Sequence, residues 1–246
     1  MPLGVPKIPL KDKNPEKEKE TEKETEKETE DETENENEDE NENENDKFLK
    51  KKKKKKKYHE YPWVDLYNGL YRRRSVFLGK KIDKEVANYI TGVLVYLNSA
   101  DVEKDVNLFI NCPGGNLDSA IAIFNMMQVV NPDVQTICIG TAASTGAYVL
   151  LGGEMTKRLA FPHARVMLYQ PEGDLVEKTL LEDYLWDTNE VKDCYEYVKK
   201  CYMQRTGKSY FVITEDLQRD DFMTPEEAQV HGIIDDIMLD NNHNYY

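Results

Sequence analysis

The sequence predicts an α/β fold with parallel strand pairing, preceded by a long charged segment outside the folded part. Three observations carry this reading. Residues 11–57 are almost entirely Glu, Lys, Asn, Thr and Asp, whereas residues 58–246 have ordinary globular composition, enough for one domain with a sizeable core. Short apolar runs alternate with stretches of helical periodicity through the second part. The apolar runs are nearly continuous rather than alternating, which is the pattern of strands buried on both faces of a parallel sheet.

Taken in order, Arg74-Ser-Val-Phe-Leu-Gly79 reads as a strand entering a turn. Asp83 is placed to cap a helix whose apolar positions Val86, Ile90, Val93, Leu94 and Leu97 follow helical spacing. Val106-Asn-Leu-Phe-Ile-Asn111 is a strand that ends in the breaker cluster Cys112-Pro-Gly-Gly115. A helix over 117–130 stops before Asn131-Pro132, because the residue before proline disfavours helical backbone. Residues 134–139 form another strand, and Gly140 leads to a helix over 144–151. Arg165-Val-Met-Leu-Tyr169 is a strand closed by Gln170-Pro171. A long helix spans 178–204, with Leu181, Leu185, Val191, Val198 and Cys201 as its apolar positions and Gly207 at its C-terminal cap. Residues 232–238 form a last strand.

The charged segment has almost nothing apolar to bury, so burial cannot offset its ordering entropy, and most of 11–57 is predicted to be disordered. Glu and Lys at four-residue spacing support transient helix over 16–30. The run of lysines from Lys50 to Lys57 invites a nucleic-acid or nuclear-targeting reading. The adjacent acidic block and a formal net charge of −14 favour a solvated charge run instead, with no nucleic-acid partner. No run approaches the length of a membrane-spanning helix, so no membrane partner is expected. Residues 1–10 lack the features of a signal peptide, and the acidic run behind them excludes a transit peptide. Cys112, Cys138, Cys194 and Cys201 form no C-x-x-C pair. Cys194 and Cys201 stand about 10 Å apart along a helix, too far for a disulfide. Free thiols in a reducing compartment and no metal are expected.

Ser144 follows an apolar run and opens a helix, the place where a nucleophilic serine gains from the positive end of the helix dipole. With that serine placed, the motifs match a family. Asn111-Cys-Pro-Gly-Gly115, Asn131-Pro-Asp-Val134, Gly140-Thr-Ala-Ala-Ser-Thr-Gly146, Arg165-Val-Met-Leu-Tyr-Gln-Pro171, Arg219-Asp-Asp-Phe-Met223 and Gly232-Ile-Ile-Asp235 occur in one order. In these the chain resembles the proteolytic subunit of the Clp protease over 61–238. Met1-Pro-Leu-Gly-Val-Pro-Lys-Ile-Pro9, Tyr61-Pro-Trp-Val-Asp-Leu-Tyr67 and Phe161-Pro-His-Ala-Arg165 look most like its plastid-encoded branch.

The resemblance implies a crotonase-like α/β fold with a head, a protruding handle helix over 178–204, and assembly into two stacked seven-membered rings. It divides the chain into an axial-loop-like segment (1–10), the charged insert (11–57), a proteolytic domain (58–240) and a polar tail (241–246). The implied partners are other Clp subunits, unfolded protein substrates and a hexameric ATPase that uses the ATP; the chain itself takes no cofactor. The implied location is the chloroplast stroma. Residue by residue, Ser144 matches the nucleophile, the backbone N–H groups of Gly115 and Thr145 match the oxyanion hole, and Asp220 matches the acid that orients the histidine. Asp216 and Asp221 lie close enough to make that last assignment depend on register.

Tyr169 occupies the histidine's place. A histidine takes and returns the serine proton because it titrates near operating pH, whereas a phenol titrates near ~10. Loss of the histidine from a serine triad costs about 10⁶ in turnover. None of the four histidines is a natural replacement: His163 is expected on a strand running into Tyr169, His231 in a surface turn, and His59 and His243 beside or within polar segments. Cys112 is expected to be an idle buried thiol. The sequence therefore predicts an ATP-dependent Clp peptidase subunit with its own triad impaired, or a non-catalytic structural subunit of a mixed ring. A one-base edit of the Tyr169 codon to histidine would restore the base. An acyl-CoA enzyme on the related crotonase fold is disfavoured by the intact Ser144 and Asp220 contexts and by the long helix.

Overall fold

A computed structural model of the chain describes residues 7–9, 63–169, 181–219 and 221–238, with side chains from 188 onward in the long helix. The predicted disorder of 11–57, the lysine run and the tail 241–246 fall outside the described residues. The chain forms two compact units, Met1–Gly69 and Leu70–Tyr246. In the first, β1 (Lys7–Pro9) pairs antiparallel with β2 (Trp63–Asp65), Lys7 opposite Asp65 and Pro9 opposite Trp63. A helix absent from the sequence reading, α1 (Leu66–Arg72), follows β2.

The second unit is built on a mostly parallel sheet. β3 (Ser75–Leu78), β4 (Val106–Cys112) and β5 (Val134–Ala143) lie side by side in that order, all parallel. Val76, Leu78, Val106, Leu108, Ile110 and Cys138 along them are buried. The long β5 serves two neighbours. Its Thr136–Cys138 part pairs with β6 (Arg158–Ala160), which in turn carries β9 (Asp236–Ile237) at the edge. Its Thr141–Ala143 part pairs with β7 (Arg165–Met167), and β7 pairs antiparallel with β8 (Phe222–Met223). The β4–β5 register shifts between Ile110 and Cys112, where β5 changes partner. The Asn111 side chain fills that shift: its Oδ1 accepts the Thr141 N–H at 3.1 Å, and a Cβ on Gly140 would stand 2.7 Å from the same atom.

The helices form where their caps and apolar spacing predict. Asp83 caps α2 (Lys84–Ala100) by accepting the Val86 N–H, and Val86, Ile90, Leu94 and Leu97 are buried. Asn116 caps α3 (Leu117–Val129), with Ile123, Phe124 and Met127 inward. α4 (Thr145–Leu151) is buried on all sides, so it lies in the core; its Tyr148 ring stacks on Phe124 at 4.6 Å. Each fully buried side chain of this size contributes about 1.5–3 kcal/mol.

The long helix α5 (Leu181–Thr206) ends slightly later than predicted, and its predicted start at 178 lies outside the described residues. Gly207 ends it at φ 70°, donating its N–H to the Met203 carbonyl. Val198, Cys201 and Tyr202 pack inward, but Val191 and its neighbours through 189–193 are exposed. The expectation that Val191 packs inward is corrected: the helix has left the core at that point. Two further helices escaped the sequence reading, α6 (Tyr210–Gln218), capped by Ser209, and α7 (Pro225–His231), begun by a capping box between Thr224 and Glu227. The predicted strand over 232–238 shrinks to β9, because Gly232 at φ 91° is spent capping α7. Cys112, Cys138, Cys194 and Cys201 are all free thiols.

Candidate active site

Strand β5 runs past the register shift and stops at Ala143, leaving Ser144 on the bend into α4. Ser144 has φ 51° and ψ −119°, a conformation costly for any residue with a side chain. Backbone hydrogen bonds hold it: its N–H donates to the Met167 carbonyl at 2.9 Å, and its own carbonyl accepts the Ala147 and Tyr148 N–H groups at 3.0 and 3.2 Å. Its hydroxyl makes no cap bond to the helix, so it stays available. A serine exposed on a strained strand-to-helix turn is the arrangement of a nucleophile elbow. The Thr145 N–H precedes the first intrahelical bond of α4 and is therefore unpaired within the helix. Thr145 itself is buried, and its hydroxyl has no partner.

Gly115 is brought to Ser144 by a chain crossing that the sequence does not reveal. It bridges to Ile82: the Ile82 N–H donates to the Gly114 carbonyl and the Asn116 N–H to the Ile82 carbonyl, both at 2.9 Å. The Gly115 N–H forms no hydrogen bond among the described residues. Its φ of 156° and the 2.1 Å that would separate a Cβ from the Ile82 carbonyl oxygen admit no other residue. A cleft of about 700 Å³ opens there, lined by Gly114, Gly115, Ser144, Met167 and Tyr169 together with Lys81, Asp83, Lys84 and Asn116.

The structure thus brings Ser144, Gly115 and Tyr169 into one cleft and sets Thr145 directly behind the serine. Tyr169 lies beyond the end of β7, so the predicted strand through it is corrected: β7 stops at Met167. Among the described residues no histidine lines the cleft. His163 sits in the turn joining β6 to β7 rather than on a continuous strand, which removes the basis for the extended separation assumed from sequence. The surface-turn expectation for His231 is also corrected. It is the last residue of α7, its side chain is 13% exposed, and its Nε2 lies 2.7 Å from Asp216 Oδ2. Asp216 is thereby committed away from the cleft. Asp221 is exposed, and Asp220 lies outside the described residues. Cys112 is fully buried beneath the turn, and burial pushes its thiol up, which suits an inert packing group. Among the described residues no three His, Cys, Asp or Glu side chains gather as a metal site, and no helix is long and apolar enough to cross a membrane.

Sequence reasoning missed Lys81, Lys84, Asn116 and Met167 as cleft residues. Asn116 arrives as the N-cap of α3, and the others through the Ile82–Gly115 bridge and the β5–β7 pairing.

The parallel sheet with a strained serine at a strand end, facing a glycine-lined cleft, defines an α/β protein with the framework of a serine hydrolase. Comparison with known proteins narrows this. A model of the Clp protease family matches residues 57–241. The ATP-dependent Clp protease proteolytic subunit of Cucumis sativus is 52% identical over 173 residues, covering 70% of this chain and 88% of that protein. That of Spinacia oleracea is also 52% identical over 173 residues, with the same coverage. That of Phalaenopsis aphrodite subsp. formosana is 50% identical over 179 residues, covering 73% and 87%. The chain belongs to the Clp protease family. That family is one of serine-type peptidases assembling into rings with ATPase partners.

Proposed function

We propose that this chain is a proteolytic-core subunit of an ATP-dependent Clp assembly whose own catalytic triad is impaired. One observation carries the reading: among the described residues Tyr169, and no histidine, shares the cleft with Ser144 and Gly115. The serine has its elbow and its N–H donors, but no imidazole to accept its proton. Asp220 is the acid that would orient such a base. The same tyrosine favours a second reading, a non-catalytic structural subunit beside active paralogues in a mixed ring.

In both readings residues 58–240 form the proteolytic domain within stacked heptameric rings, and α5 is the handle between rings; the exposed stretch at 189–193 supports this. The hexameric ATPase partner consumes the ATP and delivers unfolded chains, while this chain needs no cofactor. Residues 1–10 are the axial segment, 11–57 a charged brush near the entrance, and 241–246 a tail. The plant relatives support a chloroplast location. The test is labelling of Ser144 by a fluorophosphonate in the native complex. Labelling far slower than that of an active Clp subunit is expected; equal labelling would overturn the impaired triad, and a chain found only as a free monomer would overturn the assembly.

A further inference from the structure

The polar groups of the Ser144 cleft divide unequally into acceptors and donors. Among the described residues its side-chain carboxylate and carbonyl groups, Asp83 and Asn116, each already accept one hydrogen bond. Asp83 Oδ1 accepts the Val86 N–H at 2.7 Å, and its other oxygen lies 4.0 Å from Lys80 Nζ. Asn116 Oδ1 accepts the Ser119 N–H at 2.9 Å. The donors, by contrast, are open. Lys81 and Lys84 line the wall, both exposed, and neither forms an ion pair or hydrogen bond among the described residues. The Gly115 N–H, the Asn116 amide N–H groups and the hydroxyls of Ser144 and Tyr169 form none there either. Two lysines against one engaged aspartate also reverse the local sign of a chain whose net charge is −14.

Among the described residues the recess holds more open donors than acceptors, two of them cationic, and that excess favours an anion. In a cleft that receives peptides, the anion a peptide carries is a carboxylate, at its C-terminus or on an Asp or Glu side chain. We propose that this cleft binds peptides by a carboxylate, with Lys81 and Lys84 as the residues that select it. The proposal rests on the reading of the cleft as peptide-facing, and it is independent of whether Ser144 turns over. It gives an impaired subunit a task in the chamber: retaining acidic peptides, or peptide products that end in a newly formed carboxylate.

The test is fluorescence anisotropy on the full-length chain with four fluorescein-labelled peptides of one apolar sequence. They carry a free C-terminal carboxylate, a C-terminal amide, an internal Glu with the amide, or an internal Gln with the amide. At least one carboxylate peptide is expected to bind about 3- to 10-fold tighter than its neutral counterpart, the sum of two exposed ion pairs. The free-acid against amide pair and the Glu against Gln pair tell which carboxylate is read. The preference should vanish in Lys81→Gln/Lys84→Gln and shrink when salt rises from about 0.05 to about 0.5 M. Lys81→Glu, a single exposed change, should weaken or invert it. Equal binding of all four peptides, or a preference that survives the double substitution, overturns the proposal. Fluorophosphonate labelling and assembly size, read on the same sample, keep the two ideas separable. Slow labelling in a ring without carboxylate preference sinks this proposal alone, and fast labelling with the preference intact sinks the impaired triad alone.

Discussion

The Ser144 turn and the Arg158–Asp235 joint lie at strand ends of one sheet and are built in opposite ways. At the joint every contact is closed. Asp235 accepts the Arg158 backbone N–H at 3.0 Å and its Nε and NH2 groups at 2.9 and 2.6 Å, while NH1 donates to the Gly232 carbonyl at 3.0 Å. The Arg158 side chain is 3% exposed. At the turn the backbone is strained, and among the described residues the serine hydroxyl and the neighbouring donors have no partner. The joint ties β6 to β9 and the end of α7. The turn presents groups to something that is not part of the chain. Satisfied polar groups mark what holds the fold, and unsatisfied ones beside a cleft mark what the fold is for.

Four substitutions break or sharpen this contrast. The largest effect belongs to Tyr169→His, which supplies the missing base. Peptidase turnover should rise on the order of 10⁴- to 10⁶-fold, measured with a fluorogenic peptide on the assembled protein. An unchanged rate would reveal a second defect in the turn. Next comes Arg158→Met at the joint, which leaves Asp235 partly buried without its cation. A loss of about 3–5 kcal/mol is expected in urea unfolding, with much of it recovered in Arg158→Met/Asp235→Leu. A loss below about 1 kcal/mol would reduce the joint to an ordinary surface pair.

Ser144→Gly should act in the opposite sense. It removes the nucleophile but frees the positive φ, so stability should rise by about 1 kcal/mol. A destabilised variant would mean that the turn is not strained. The smallest effect is on pH dependence. Burial alone would raise the Asp235 carboxyl, but the hydrogen bonds and charge of Arg158 outweigh it and hold the group below the usual carboxylate range. A folded value below the unfolded one means stabilisation present above about pH 4 and lost as pH falls through the folded value. The native chain should therefore lose stability more steeply below about pH 4 than Asp235→Asn does. Parallel acid limbs of the two urea midpoints would disprove the assignment.

Much of this contrast is legible in the order of the residues alone. Asp83 and Gly207 announce helix ends because capping is a bond between neighbours in sequence. Ser144 and Gly115 stand out by motif. The signals for α6 and α7 are present too: Ser209 before a helical apolar pair, Ile213 and Leu217, and Thr224-Pro-Glu-Glu227 as a capping box with proline at the first helical position. Three-residue β6 offers no comparable signal, because a strand that short exists only through its partners β5 and β9. His231 misleads for a related reason. Its role depends on Asp216, fifteen positions away on another helix.

By itself the sequence determined which chemical groups this protein owns: a serine with its glycines, a tyrosine where a base belongs, the helix caps and the apolar stripes. Each of these is a property of a residue or its near neighbours. Tertiary structure alone decided what those groups face. Splitting β5 between β6 and β7 sets Tyr169 in the cleft of the Ser144 turn, and the Ile82–Gly115 bridge brings Lys81 and Lys84 into the same cleft. Those pairings join segments 22 to 33 residues apart and depend on backbone hydrogen bonds and a shared core, which no local pattern encodes.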